Sequence, residues 1–151
     1  MELINPLVQE YAEKFSSPED YLLKEVNDFT AANHPEYHML SGHLQGKFLE
    51  MASMMIRPHR ILEIGTFTGY SALCLAKGLT EDGLLHTIEL REKDAATAKG
   101  FFDKSTYKEK IILHTGDAKK SFLRWKKHLI LYLLTLINPV ILNILTLFFQ
   151  N

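Results

Sequence analysis

The nine residues Glu63-Ile64-Gly65-Thr66-Phe67-Thr68-Gly69-Tyr70-Ser71 bring a carboxylate, several hydroxyls and two glycines into one short span. Gly65 and Gly69 let the backbone turn tightly and approach a ligand, while a helix opening at about Tyr70 offers free amides to that ligand's polar groups. A second acid, Glu89, stands twenty residues beyond Gly69. At the end of the next strand, that spacing suits a carboxylate accepting hydrogen bonds from both ribose hydroxyls of an adenosine-containing cofactor. A charge at a strand's carboxyl end needs a partner, so ligand contact is the favoured reading of Glu89. Gly116-Asp117-Ala118 closes a third run and would border the adenine. The two glycines would also serve a strand-to-helix turn that meets no ligand.

The glycine spacing narrows the choice of cofactor. A nicotinamide or flavin site normally carries G-x-G-x-x-G, whereas this chain has G-x-x-x-G with an acid two residues before the first glycine. Glu63 places negative charge beside the turn, which repels a pyrophosphate and suits S-adenosylmethionine, a sulfonium that also carries an amino group. A nicotinamide-dependent oxidoreductase is disfavoured on the same ground.

The elements that must position these residues are legible from periodicity. Leu3, Ile4, Leu7, Val8, Tyr11 and Phe15 recur at helical spacing. Ser17 as N-cap, Pro18 at the first helical position, and Glu19 and Asp20 in the first turn predict a second helix with Leu22, Leu23, Val26 and Phe29 on its buried stripe. Asn33-His34-Pro35-Glu36 is a turn, because Pro35 pushes its predecessor out of helix. A third helix is predicted over about Gly42 to Ile56, with Leu44, Phe48, Met51, Ala52 and Met55 inward. From Arg60 the period changes. Short apolar runs at Ile61–Ile64, Leu85–Leu90 and Lys110–His114 alternate with helical stretches at about Tyr70–Lys77 and Glu92–Phe102. Strand-helix-strand-helix-strand implies right-handed crossovers and a parallel sheet, and the three loops above then fall together at its carboxyl edge.

Composition sets the outer bounds. A chain of 151 residues with 46% apolar and 23% charged residues is the size of one globular domain. A net charge of −1 is too balanced for phosphate attraction to be its purpose, so nucleic acid is not an expected partner. One cysteine and the lack of a secretory layout over Met1–Gln9 make a reducing cytoplasm the expected location. Several residues invite sharper readings than they support. His34, His38 and His43 flank a turn with no cysteine or carboxylate at ligand spacing and read as loop histidines. Cys74 and the methionines Met51, Met54 and Met55 read as packing, and Lys47 as a surface lysine.

The segments His38-Met39-Leu40-Ser41-Gly42-His43-Leu44-Gln45-Gly46-Lys47-Phe48-Leu49 and Arg60-Ile61-Leu62-Glu63-Ile64-Gly65-Thr66-Phe67-Thr68-Gly69-Tyr70-Ser71-Ala72-Leu73-Cys74-Leu75-Ala76 resemble the cation-dependent class I O-methyltransferases of the caffeoyl-CoA and catechol type, in their bacterial form. The likeness continues through Asp82-Gly83, His86-Thr87-Ile88-Glu89 and Gly116-Asp117-Ala118 and covers about residues 1 to 120. It implies an α/β fold with a Rossmann-like parallel sheet, here only its first three strands, under a helical cap at 1–56 that also forms a dimer surface. Residues 57–120 would be the cofactor-binding half. It also implies that Met39 and Ser41 lie over the methionine part of S-adenosylmethionine, that Glu63 and Gly65 hold its amino-acid end, with Gly69 completing the turn and Ser71 capping that side, that Glu89 takes the ribose, and that Asp117 and Ala118 flank the adenine. The activity implied is methyl transfer to a phenolic or catechol hydroxyl held by a divalent cation. The family's metal ligands lie in a D-A-D-K segment and a later Asp-Asn pair, and neither occurs in this chain.

The last thirty-one residues look like a different protein. All eighteen acids lie within residues 1–120, whereas residues 121–151 hold Arg124, Lys126 and Lys127 and no acid. Leu129 to Phe149 is twenty-one uncharged residues, which as a helix would span about 31 Å behind a basic flank. A membrane-anchored, catalytically empty cofactor-binding or interaction module is therefore one reading, weakened by Asn138, Pro139 and Asn143. The genetic code offers another. Joining the third codon base of each residue from His128 to the first two bases of the next permits F-D-F-I-F-I-D-A-D-K-P-G-Y-I-K-Y-F, the missing strand and metal loop. The favoured reading of residues 121–151 is thus a frameshift product, defective for catalysis, with a bare edge on the first strand and poor solubility as consequences.

Overall fold

The computed structural model describes residues 5–118 and, as backbone alone, 131–133. Helices α1 (Pro6–Phe15), α2 (Tyr21–Asn33) and α3 (Gly42–Ile56), with a single 3-10 turn at Tyr37–Met39, precede β1 (Arg60–Ile64), α4 (Tyr70–Ala76), β2 (Leu84–Glu89), α5 (Glu92–Lys104), β3 (Ile111–Thr115) and β4 (Leu131–Leu133). The sheet is parallel throughout, in the order β3-β2-β1-β4. Side chains of a strand alternate between faces. Ile61, Leu85 and Ile111 therefore share the face that packs on Ala98, Phe101 and Phe102 of α5 and on the wholly buried helix α4. The other face carries Leu62, Ile88 and a stacked imidazole pair, His86 Nδ1 lying 3.1 Å from His114 Nε2. Burial, with His114 and Arg60 nearby, pushes His86 down to about 4, so it is neutral at pH 7.

Three strands lie where the apolar runs place them. The fourth corrects the expectation of a bare edge on β1: Leu131, Tyr132 and Leu133 pair in parallel with Ile61, Leu62 and Glu63. An apolar, β-prone triplet supplies what a ladder needs, since the pairing is made by backbone groups.

The cap differs from its prediction at two points. Helix α2 starts at Tyr21, with the Asp20 carboxylate accepting from Leu23 N at 2.8 Å, so Asp20 rather than Ser17 is the N-cap. The acids of the expected first turn also reach α4 and its C-cap. Glu19 accepts from the Tyr70 hydroxyl, and Asp20 pairs with Lys77 at 2.8 Å. Helix α3 keeps its bounds but turns a different face inward. Gly46, Leu49 and Ser53 are buried, while Phe48, Met51 and Met55 are 61%, 53% and 77% exposed. Small residues win because α3 crosses α4 at close range: a Cβ on Gly46 would stand 2.5 Å from the Tyr70 ring, and Ser53 Oγ donates to the Leu75 carbonyl at 2.6 Å. The apolar stripe of α1, Leu7, Val8, Tyr11 and Phe15, is likewise exposed.

Lys77 also bonds Glu50 at 2.8 Å, tying α3 to α4. Burial raises the pKa of Glu50 and of Asp20, but the Lys77 hydrogen bond and the charges of Lys77 and Lys47 outweigh it, and both carboxyls lie below their ordinary values. Their contribution is therefore complete above the ordinary carboxylate range and is lost as pH falls through the lowered values. Cys74, pushed up to about 12 by burial, is an inert core thiol.

Gly78 marks another close approach, since a Cβ there would lie 2.1 Å from the Ser53 carbonyl carbon, whereas one on Gly100 within α5 would meet nothing inside 4 Å. Gly78→Ala is expected to destabilise the chain by about 1–3 kcal/mol or more through overpacking. Gly100→Ala should stabilise by about 0.5–1 kcal/mol through lower backbone entropy. Urea unfolding midpoints of the two variants check the opposite signs.

Candidate functional site

At the end of β1 the chain folds back across β2, with Gly65 N and Thr66 N both donating to the Ile88 carbonyl, at 2.9 and 3.3 Å. The turn needs left-handed backbone at three places, Gly65 (φ 92°), Phe67 (φ 52°) and Gly69 (φ 95°). Two are glycines, for which this is free. Phe67 is not, and such a residue costs on the order of 1–3 kcal/mol unless its surroundings hold it. They do. Its amide donates to Glu89 Oε2 at 2.7 Å, and its ring lies edge-on to His34, 4.5 Å between centroids, with the Arg91 guanidinium 5.4 Å from it.

Glu89 thus aims back at the glycine turn from one crossover away, as its spacing suggests. It is 6% exposed, and its Oε1 accepts from Arg91 N at 2.9 Å. Gly116 N donates to the Glu89 carbonyl at 2.8 Å, which brings Asp117, exposed, and Ala118, half-buried, to the end of β2. Glu63 lies deeper, at 0% exposure, with Ser71 Oγ donating to one oxygen at 2.5 Å and Thr87 Oγ1 to the other at 2.6 Å. Thr66 Oγ1 is 2.5 Å from Thr87 Oγ1, so two strands, the turn and α4 share one polar chain. Gly69 has a packing reason as well as a conformational one: a Cβ there would meet Phe102 at 2.7 Å. Met39, on the 3-10 turn, and Ser41, just before α3, sit on the segment fastened to this region through His34 and Glu36.

Sequence reasoning passed over Thr66, Thr87, Arg91 and Asp94. Thr87 was discoverable, since it stands opposite Glu63 in the β1–β2 register. Arg91 gave a weaker signal, a cation two residues after the candidate acid. Two histidines of the linker go to different partners: His34 Nε2 to Asp94 at 3.2 Å, and His43 Nε2 to the Ser17 carbonyl at 2.7 Å. Among the described residues no three His, Cys, Asp or Glu side chains are grouped to hold a metal, and no helix is long and apolar enough to cross a membrane. The frameshift reading, on residues 121–151, and the tail-anchor reading, on 129–149, lie outside the described residues except for 131–133.

The family model described as O-methyltransferase matches residues 13–132. The chain belongs to the O-methyltransferase family. A catechol O-methyltransferase of Niastella koreensis is 33% identical over 100 residues, 66% of this chain and 44% of that protein. A caffeoyl-CoA O-methyltransferase of Petunia hybrida is 31% identical over 96 residues, 64% of this chain and 39% of that one. The solved O-methyltransferase of Bacillus cereus in complex with S-adenosylhomocysteine superposes with a TM-score of 0.72 at 32% identity, covering 81% of this chain and 55% of its own. This O-methyltransferase chain thus spans less than half the length of those two curated relatives.

Thr87→Val keeps the side-chain shape and removes the hydroxyl between Glu63 and Thr66. The buried carboxylate then loses a donor, with an expected loss of about 1–3 kcal/mol in urea-measured stability.

Proposed function

We propose that this chain binds S-adenosylmethionine across the carboxyl ends of β1, β2 and β3. The observation that carries the reading is the Glu89 carboxylate, buried, aimed at the glycine turn and adjoined by Gly116. Each Glu89 oxygen already accepts one backbone amide. An ionised carboxylate has about four acceptor positions, so one on each oxygen remains for the two ribose hydroxyls. Asp117 and Ala118 border the adenine in this reading. Met39 and Ser41 cover the methionine arm, and Gly65 and Gly69 shape the floor. Glu63 and Ser71, bonded to each other, stand behind Gly65 toward the amino-acid end.

The bound sulfonium supplies an activated methyl group, and the full-length relative of this chain would pass it to a phenolic or catechol-type hydroxyl. This chain's own residues bind and orient, and among the described residues no three His, Cys, Asp or Glu side chains are grouped to hold a divalent cation. No metal-dependent step is assigned to them, and we read the chain as defective for catalysis. Residues 1–56 act as the cap, 57–120 as the cofactor-binding half, and 121–151 as a frameshift product. Pairing of two copies through the cap belongs to the same reading, supported by the outward apolar residues of α1 and α3.

Calorimetric titration of S-adenosylhomocysteine should give measurable binding. Glu89→Ala should weaken it by ten- to hundredfold, the equivalent of about 1–3 kcal/mol for a charged hydrogen-bonding group. Equal affinities in two folded proteins would refute the ribose assignment.

The encoding DNA gives an independent check on the tail. Read one frame over from near codon 120, it should continue through D-A-D-K into a full-length enzyme, and a stop codon within a few triplets would remove the frameshift.

A further inference from the structure

The segment Asn33–Ser41 joins α2 to α3 and passes over the glycine turn. Two of its side-chain ties converge on one neighbourhood, while the Tyr37 hydroxyl donates to Asn27 Oδ1 of α2 at 3.2 Å. His34 Nε2 reaches Asp94 in the first turn of α5, and Glu36 pairs with Arg91 just beyond β2. Glu36 N donates to His34 Nδ1 at 3.0 Å, which fixes the remaining proton on Nε2 and makes His34 the donor to Asp94. Arg91 is the hub: its Nε lies 2.5 Å from Asp94 Oδ2 and 3.9 Å from Glu89 Oε1, while its NH1 bonds Glu36. Asp94 Oδ2 is buried and has no directed hydrogen bond, so the guanidinium's charge is what compensates it. The same guanidinium also lies near the ring of Phe67.

One side chain therefore connects the segment carrying Met39 and Ser41 with the carboxylate assigned to the ribose. We propose that Arg91 is a positioning residue that clasps the 34–41 segment over the nucleoside and sets how long the cofactor stays bound. This rests on the cofactor reading above. The physical basis is a division of labour around a planar, multi-donor cation. Its inner contacts, to Asp94 and Glu89, meet side chains 4% and 7% exposed and hold it in place. Its outer contact, to Glu36, joins side chains 41% and 43% exposed, where an ion pair is weak and screened by salt. An interaction of that kind can open and close while the inner pair keeps Arg91 aimed. A lysine at the position would keep the charge but has one compact ammonium, which cannot serve Asp94 and Glu36 together.

The test pairs a ligand-free readout with a ligand one, using the 151-residue chain. Hydrogen exchange reports on the amides of Tyr37, Met39 and Leu40, which close the 3-10 turn by bonding the carbonyls of His34, Glu36 and Tyr37. In Glu36→Gln these amides should exchange several-fold faster, with β1 and α4 unchanged, and 0.5 M NaCl should produce the same local effect in wild type. Arg91→Lys should do likewise. Stopped-flow release of S-adenosylhomocysteine should be about two- to fivefold faster in Glu36→Gln, as expected for losing an exposed, salt-screened pair, with the association rate little changed. Unchanged exchange at 37–40, or acceleration spread evenly through β1 and α4, overturns the clasp, the second outcome exposing a merely structural role. Faster exchange with an unchanged release rate also overturns it. If wild type binds no S-adenosylhomocysteine, the cofactor reading fails, and the clasp falls with it as a retention device.

Discussion

The hydrogen bond from the Phe67 amide to Glu89 is the contact around which the described site is arranged. A left-handed phenylalanine is an unfavourable way to turn a chain, and a carboxylate waiting at the next strand end offsets that cost with a charge-assisted bond. The turn in turn gives the acid a reason to be buried and aimed. Remove the acid and Phe67 would relax toward ordinary backbone. Remove the turn and Glu89 would sit at a strand end with fewer donors. Both depend on β1 and β2 being parallel neighbours, which the intervening helix α4 enforces.

A second polar layer lies beneath it. Glu63 is wholly buried among hydroxyls from α4 and β2, and Thr30 of α2 reaches the same turn by a 2.9 Å bond to Thr68. Buried polar groups of this kind are costly unless each finds a partner. Here the partners come from the cap, both strands and the helix, so the polar layer specifies how those parts fit together more sharply than apolar packing alone. The cap is held on its outer side by Lys77, Asp20 and Glu50.

Much of this was legible. The strand-helix alternation is written in the switch between periods, and the aim of Glu89 follows from its distance to Gly69 along a right-handed crossover. The bounds of α3, Gly42 to Ile56, are legible from its helical period. What escaped had a tertiary cause. Ser17 and Pro18 look like a helix start, but Glu19 and Asp20 are committed to Tyr70 and Lys77, and the helix begins only at Tyr21. The inward face of α3 is not legible from side-chain bulk, because the crossing with α4 admits only Gly46 and Ser53 at closest approach. Arg91 could not be ranked from sequence, since its importance lies in contacts with residues 36, 89 and 94, brought together only by the fold.

The short β4 carries a broader implication. Backbone ladders are indifferent to side-chain identity, and codons with a central thymine are all apolar, so thymine-rich DNA yields hydrophobic residues in more than one reading phase. On the frameshift reading proposed for residues 121–151, a coding slip would still deliver a segment able to lie against Ile61–Glu63. Such an architecture would keep the means to shield its central strand from foreign chains whatever the side chains of the covering segment.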